Sequence, residues 1–403
     1  MLKVSERGER LPASPIRKLT PFANKAKENG IHVHHLNIGQ PDLPTPEIAL
    51  QALKKIDRTT LEYSPSEGFL SLRKKIAEYY KTLGVELSPS EIIVTAGASE
   101  ALLFGFMACL NEGDEMIITE PAYANYHSFA QMAGIKVVPL LSKIENGFSL
   151  PDTAEFEKLI TPKTKAILIC NPNNPTGYTY TPEEFFKIRD LVKKYNLFLF
   201  ADEVYREFFY SDQKCISSLL LEGIEQNVIV CDSFSKRYSE CGIRIGAIIS
   251  RNKEVMETIL KYCQARLSPP LLGQIIAEVS VDAPQSYLDD VYNEYIERRD
   301  LLINGLNEID GVFSPMPNGA FYTVASLPID DSDKFCEWLL SDFSYEGETV
   351  MMAPASGFYS NPENGKNQVR IAYVLSKEDL KKALKVLEKG LEKYNSPKNH
   401  NNV

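Results

Sequence analysis

The sequence predicts an α/β protein built on a mainly parallel sheet between helices, joined to a smaller α+β unit. Three observations carry this. Seven short apolar runs, "EIIVT", "EMIIT", "KVVPL", "KAILIC", "LFLFA", "VIVC" and "AIIS", recur between residues 91 and 250. Several are apolar at nearly every position, as in a sheet buried on both faces. Amphipathic stretches such as "EEFFKIRDLVKKYN" lie between many of them, which is the alternation of a doubly covered sheet. After residue 285 the texture changes. A long helical pattern, "YLDDVYNEYIERRDLLINGLNEI", leads into short strands around "AFYTVASL" and "QVRIAYV". The final pattern, "SKEDLKKALKVLEKGLEKY", opens with Ser376 as N-cap and Asp379 near N3. The expected division is a large domain over 46–285 and a small one from 286–403 together with an N-terminal arm over 1–45. A chain of 403 residues exceeds the size of a single core, so two packed units are expected.

Composition narrows the function. The formal net charge is −10 and no basic stripe is present, which argues against nucleic acid. The seven cysteines are scattered with no C-x-x-C pair, a usage that fits a reducing cytoplasm. The N-terminus lacks the apolar segment of a signal peptide, and no run reaches membrane-spanning length. His32 and His34 share one face of "HVHH" without an evident third ligand, so no metal is expected. The polar tail "SPKNHNNV" reads as disordered.

Ligands of such sheets sit beyond the strand C-termini, and the loops there are chemically loaded. In "VTAGASEAL", Gly97 and Ala98 permit close backbone approach. Ser99 opens a helix whose free N–H groups suit a phosphate, although an ordinary capped helix looks the same. "CNPNNPTGYTYTPEE" packs more turn residues than a turn requires. In "FADEVYREF", Asp202 follows a buried strand directly, either as a helix cap or as a buried carboxylate in need of a cationic partner, with Tyr205 three residues on. In "SFSKRYSECGIRIG", Ser233, Ser235, Lys236 and Arg244 crowd one connector. A lysine able to form a Schiff base, an arginine fork, hydroxyl donors and a carboxylate for a protonated ring nitrogen are together what pyridoxal phosphate requires.

At these residues the chain resembles the class I and II aminotransferases, the fold type I pyridoxal-phosphate enzymes. The resemblance runs from "LNIGQPDLPTP" to "QVRIAYVLSKEDLKKAL", with "NPNNPTG", "ADEVY" and "SFSKRYSECGIRIG" in order. It implies that Lys236 carries the cofactor and shuttles the proton, that Asp202 pairs with the pyridinium nitrogen, and that Tyr205 and Asn174 bond the phenolic oxygen. Arg244, Ser233, Ser235, Ser99 and the Ala98 N–H would bind phosphate, and Tyr123 would stack on the ring. Tyr63 would reach the cofactor of a second subunit, which implies a homodimer with shared sites. Arg370, helped by Gly39 and Asn174, would clamp the substrate α-carboxylate. One bacterial aspartate aminotransferase subgroup reads the distal carboxylate with a lysine where this chain has Ser99, so that task would pass to Arg266 in "QARLSPPLLGQ". The implied activity moves an amino group from an amino acid, with aspartate the expected donor, to a 2-oxo acid such as 2-oxoglutarate. A C–S β-lyase or an aminotransferase with aromatic or broad specificity would share most of these residues. A non-catalytic regulator on the same fold would need a DNA-binding module, and about 45 residues before the fold leave too little room for one.

Overall fold

The computed structural model describes residues 2–12, 14–211 and 215–396; the tail after Ser396, expected to be disordered, lies outside the described residues. All seven apolar runs are strands of one sheet: β1 (Ile92–Thr95), β2 (Glu115–Glu120), β3 (Lys136–Leu141), β4 (Thr164–Cys170), β5 (Phe198–Asp202), β6 (Val228–Ser233) and β7 (Gly246–Ile249). Their spatial order is β1-β7-β6-β5-β4-β2-β3. From β6 through to β3 every neighbouring pair is parallel. β7 alone runs antiparallel, against both β6 and β1. The segment between β6 and β7 folds into two single-turn pieces, Phe234–Arg237 and Cys241–Ile243, instead of a covering helix.

β1, β2, β6 and β7 are buried at every position. Each fully buried Ile, Val or Leu there contributes roughly 1.5–3 kcal/mol, which offsets the cost of fixing extended backbone. β3 departs from this. It lies at the sheet edge, is mostly accessible and contains Pro139, a residue tolerated where one side of the strand needs no ladder.

Helices cover both faces. Pro182–Tyr195 starts at a capping box in which Thr181 and Glu184 satisfy each other's backbone N–H, and it stops at Asn196 in the left-handed region. The last helix, Lys377–Tyr394, begins as expected, with the Ser376 side chain accepting from Asp379 N. A three-stranded antiparallel sheet orders Ala353–Pro354, Gln368–Ala372 and Tyr322–Ser326, and His32–His35 pairs in parallel with Glu348–Met351. His34 Nε2 lies 2.9 Å from Glu348 Oε2 across that pair. Among the described residues no group of three His, Cys, Asp or Glu could hold a metal. One apolar cluster runs from Ala23 through Ile118, Leu168 and Phe200 of the large sheet to Leu302 and Leu339, so the small sheets are welded to the large one.

Two rows of the register set up the chemistry. Cys170, Asp202 and Cys231 lie abreast on β4, β5 and β6. Ser233, Gly246 and Thr95 lie abreast on β6, β7 and β1. The loops after β1, β4, β5 and β6 therefore leave the sheet at one edge, side by side.

Candidate active site

These loops enclose a cavity of ≈ 810 Å³. Gly39, Ala98, Ser99, Tyr123, Asn174, Asp202, Tyr205, Ser233, Ser235, Lys236, Arg244 and Arg370 all line it. They come from segments scattered over more than 330 positions of the chain.

Lys236 sits at the end of the turn Phe234–Arg237, whose first N–H groups are capped by the Ser233 side chain. Its neighbour Arg237 donates to both carboxylate oxygens of Asp232 at 3.0 Å, so the turn is clamped to the end of β6. Lys236 Nζ donates to Gly39 O at 2.8 Å and lies 3.5 Å from Cys241 Sγ. Burial holds its pKa below the usual lysine value, the charges of Arg244 and Arg370 add to this, and Cys241 opposes it. A larger fraction of this amine is therefore unprotonated near neutral pH than of a surface lysine, which is the form that attacks a carbonyl.

Asp202 ends β5 and is followed by turns, not by a helix, so it is no helix cap. Its Oδ2 accepts from Tyr126 OH at 2.6 Å and its Oδ1 from Val204 N at 3.2 Å. It is 5% exposed and forms no ion pair among the described residues. Burial raises its pKa to about 6, with the Tyr126 and Val204 hydrogen bonds pulling the other way. A buried carboxylate that faces a cavity without a cation is a site for one supplied by a ligand.

At the far wall Arg370 is 1% exposed. Its Nη1 donates to Asn174 Oδ1 at 3.1 Å, its Nη2 donates to Asn37 O, and its Nε is buried with no partner. The guanidinium lies 4.6 Å from the Tyr322 ring centroid and 5.0 Å from that of Phe358. These faces hold the charge in place without consuming its donors. Asn174 Nδ2 lies 3.4 Å from Tyr205 OH, which is 3.0 Å from Tyr322 OH. Gly39 has to be glycine, because a Cβ there would lie 1.5 Å from Tyr322 OH.

The remaining corner is an anion cradle. Gly97, at φ +81°, caps the helix Ala98–Cys109, whose first N–H groups lack intrahelical acceptors. A Cβ on Gly97 would come within 2.5 Å of Arg244 Nη2. Backbone donors, a guanidinium and the hydroxyls of Ser99 and Ser233 thus share one concavity. Cradle, amine and unpaired carboxylate fit the phosphate, aldehyde and ring nitrogen of pyridoxal phosphate.

Two expected residues are placed elsewhere. Arg266 does not line the cavity: its Nη1 donates to Glu100 Oε2 and its Nη2 to Ser66 O, both at 3.0 Å. Within the chain its charge is matched by the partly buried Glu100 carboxylate, not by the cavity. Tyr63 is 76% exposed and does not line the cavity of its own chain. The sequence did not reveal Tyr126, Tyr322, Cys241 or Arg17 as wall residues. Only Tyr126 carried a signal, since it follows Tyr123 by three positions in "AYANY".

The profile of the family described as aminotransferase class I and II matches residues 31–387. The chain belongs to that family. It is an aminotransferase of fold type I. Among curated relatives it is 33% identical to an aspartate aminotransferase of Pyrococcus horikoshii, over 96% of this chain and 97% of that one. It is 32% identical to an aromatic-amino-acid aminotransferase of Thermococcus litoralis, over 97% of this chain and 99% of that one. Among solved structures the aspartate aminotransferase of Thermus thermophilus with maleate superposes with a TM-score of 0.88, at 28% identity, covering 97% of this chain and 100% of that one.

Proposed function

We propose that this aminotransferase uses pyridoxal phosphate to move the amino group of aspartate to 2-oxoglutarate. One observation carries the reading: the Lys236 amine, the unpaired Asp202 carboxylate and the Arg370 guanidinium converge on one cavity. When bound, pyridoxal phosphate supplies an electron sink for the pair left on Cα when its proton departs. The chain's residues do the rest. Arg370, with Asn174 beside it, receives the α-carboxylate through its planar fork and so fixes which Cα bond faces Lys236. Lys236 Nζ would accept the proton that leaves Cα and hold it for redelivery. Asp202 would keep a positive charge on the ring nitrogen, Tyr205 and Asn174 would donate toward the ring oxygen, and Tyr123 would pack on the ring. Arg244, Ser99, Ser233, Ser235 and the Ala98 N–H would hold the phosphate. The aspartate and maleate in the names of the relatives support a dicarboxylic substrate. The loaded protein given aspartate and 2-oxoglutarate should form equal amounts of oxaloacetate and glutamate. Release of pyruvate and ammonia from a sulfur amino acid as the dominant activity would instead establish a C–S lyase.

We further propose a cytoplasmic homodimer with shared sites, its large domain spanning 46–285. All seven cysteines are free, and among the described residues no helix is long and apolar enough to cross a membrane. Tyr63, Leu61 and Leu267 are exposed, and the Leu267 carbonyl accepts from Ser66 Oγ in the segment that carries Tyr63. Leu50 and Leu53, on the helix Glu47–Lys54 that packs on Leu271–Ser280, are exposed as well. Such a patch asks for a cover. If Tyr63 completes the partner's site, refolding Tyr63→Ala and Lys236→Ala chains together in equal amounts should restore activity. About a quarter of the wild-type value is expected, since half the dimers are hybrids and each has one intact site. No recovery above the two parents would sink the shared site.

A further inference from the structure

The cavity wall carries four cations, Arg17, Lys236, Arg244 and Arg370, against one carboxylate, Asp202. Three of the cations have tasks in the proposed chemistry. Arg17 has none. Its guanidinium makes no hydrogen bond, ion pair or ring contact among the described residues, whereas Arg266 is tied to Glu100.

The backbone that carries the exposed Arg17 side chain is nevertheless held in position. Arg17 N and Lys18 N both donate to Ser14 O at 3.1 Å, closing a turn. Ile16 O accepts from Asn37 Nδ2 at 3.1 Å, Lys18 is paired with Asp333, and Pro15 lies where a Cβ on Gly357 would come within 2.2 Å of it. Asn37 is the link. Its side chain fixes the residue before Arg17 while its carbonyl accepts from Arg370 Nη2. Burial pushes the Tyr123 phenol up, and Arg370, Arg17 and Arg244 each pull it back, so all three charges bear on one ring. With Arg244 assigned to the phosphate corner, Arg17 and Arg370 are the two guanidinium groups left on the cavity wall for a substrate.

We propose that Arg17 is a specificity-determining residue that reads the distal carboxylate of a dicarboxylic amino acid or 2-oxo acid whose α-carboxylate is on Arg370. This rests on the reading of Arg370 given above. A monocarboxylic substrate leaves Arg17 solvated, whereas a dicarboxylic one offers it a charge-assisted bond.

The test uses the cofactor-loaded protein as wild type, Arg17→Gln, Arg17→Lys, Arg266→Gln and Arg370→Gln. The ratio of kcat/KM for aspartate to that for alanine should fall about 100-fold in Arg17→Gln and less in Arg17→Lys. It should stay within threefold of wild type in Arg266→Gln. Calorimetry gives a second reading that needs no turnover. Succinate binding, relative to propionate, should weaken at least tenfold in Arg17→Gln. In Arg370→Gln both ligands should weaken together. A succinate-to-propionate ratio unchanged by Arg17→Gln, or a drop in the substrate ratio seen in Arg266→Gln instead, overturns the assignment of Arg17. Retention of both ligands by Arg370→Gln overturns the α-carboxylate reading on which it rests, and that failure is visible separately.

Discussion

Lys236→Ala is expected to abolish transamination while leaving the fold intact. In the proposed mechanism the lysine is both the attachment point and the proton carrier, so kcat should fall by about 10⁴-fold or more. The structural cost is small. Nζ donates to Gly39 O and to Cys241 Sγ alone among the described residues, and the turn beneath it is held by Arg237 on Asp232 and by the Ser233 cap. The change in unfolding free energy should stay under ~1 kcal/mol. Reducing the loaded wild type with borohydride and mapping the peptides should place the pyridoxyl group on Lys236. A label on another lysine would refute the assignment.

Asp202→Asn should separate activity from stability in opposite directions. In the loaded enzyme the neutral amide cannot hold charge on the ring nitrogen, and kcat should drop about 10³-fold. Cofactor should remain bound, because Arg244, Ser99 and Ser233, at another corner of the cavity, are the proposed phosphate donors. In the cofactor-free protein the variant should be the more stable one above pH 6. The sign follows from the carboxyl's pKa, raised from 3.8 to about 6 by burial. The folded state favours the protonated acid, so no penalty exists below the unfolded value, it grows between the two, and it is complete above the folded one. A two-unit shift corresponds to roughly 3 kcal/mol as an upper figure. Denaturant unfolding of both cofactor-free proteins at pH 4 and pH 8 reads this directly. A variant less stable than wild type at pH 8 would mean that the carboxylate is a structural anchor and not a vacant counter-charge.

Local chemistry explains what the sequence made legible. The strands were visible because nearly every position in them is apolar, and the C-terminal helix because Ser376 is a local cap. Lys236, Asp202, Asn174 and Tyr205 stood out because they sit in loops directly after buried strands, where polar residues lack a structural excuse. That Arg266 pairs with Glu100 was not legible, because the two lie 166 positions apart and pairing over that distance leaves no local trace. Arg17 escaped notice for the converse reason. Its neighbours Pro15 and Lys18 are anchored on Gly357 and Asp333, contacts that exist only once the N-terminal segment lies against a helix and a turn more than 300 positions away. Tyr322 read as one more strand residue, and only the fold brings its ring beneath Arg370. The antiparallel direction of β7 was equally silent, since strand direction is not encoded in apolar content.

The row that places Cys170, Asp202 and Cys231 abreast also limits how such a protein can change. Asp202 and Glu203 are consecutive carboxylates with opposite fates. Asp202 faces the cavity unpaired, and Glu203 is sealed in an ion pair with Arg206 and accepts from Ser217 and Ser218. Because side chains alternate along a strand, a slip of one residue in β5 would withdraw the unpaired carboxylate and aim the neutralised one at the site. Insertions and deletions in that strand are therefore closed to drift, and length can vary only in segments that hang off the sheet. New substrate preferences must come by exchanging side chains on peripheral walls such as the N-terminal turn, while the strand ends stay in step.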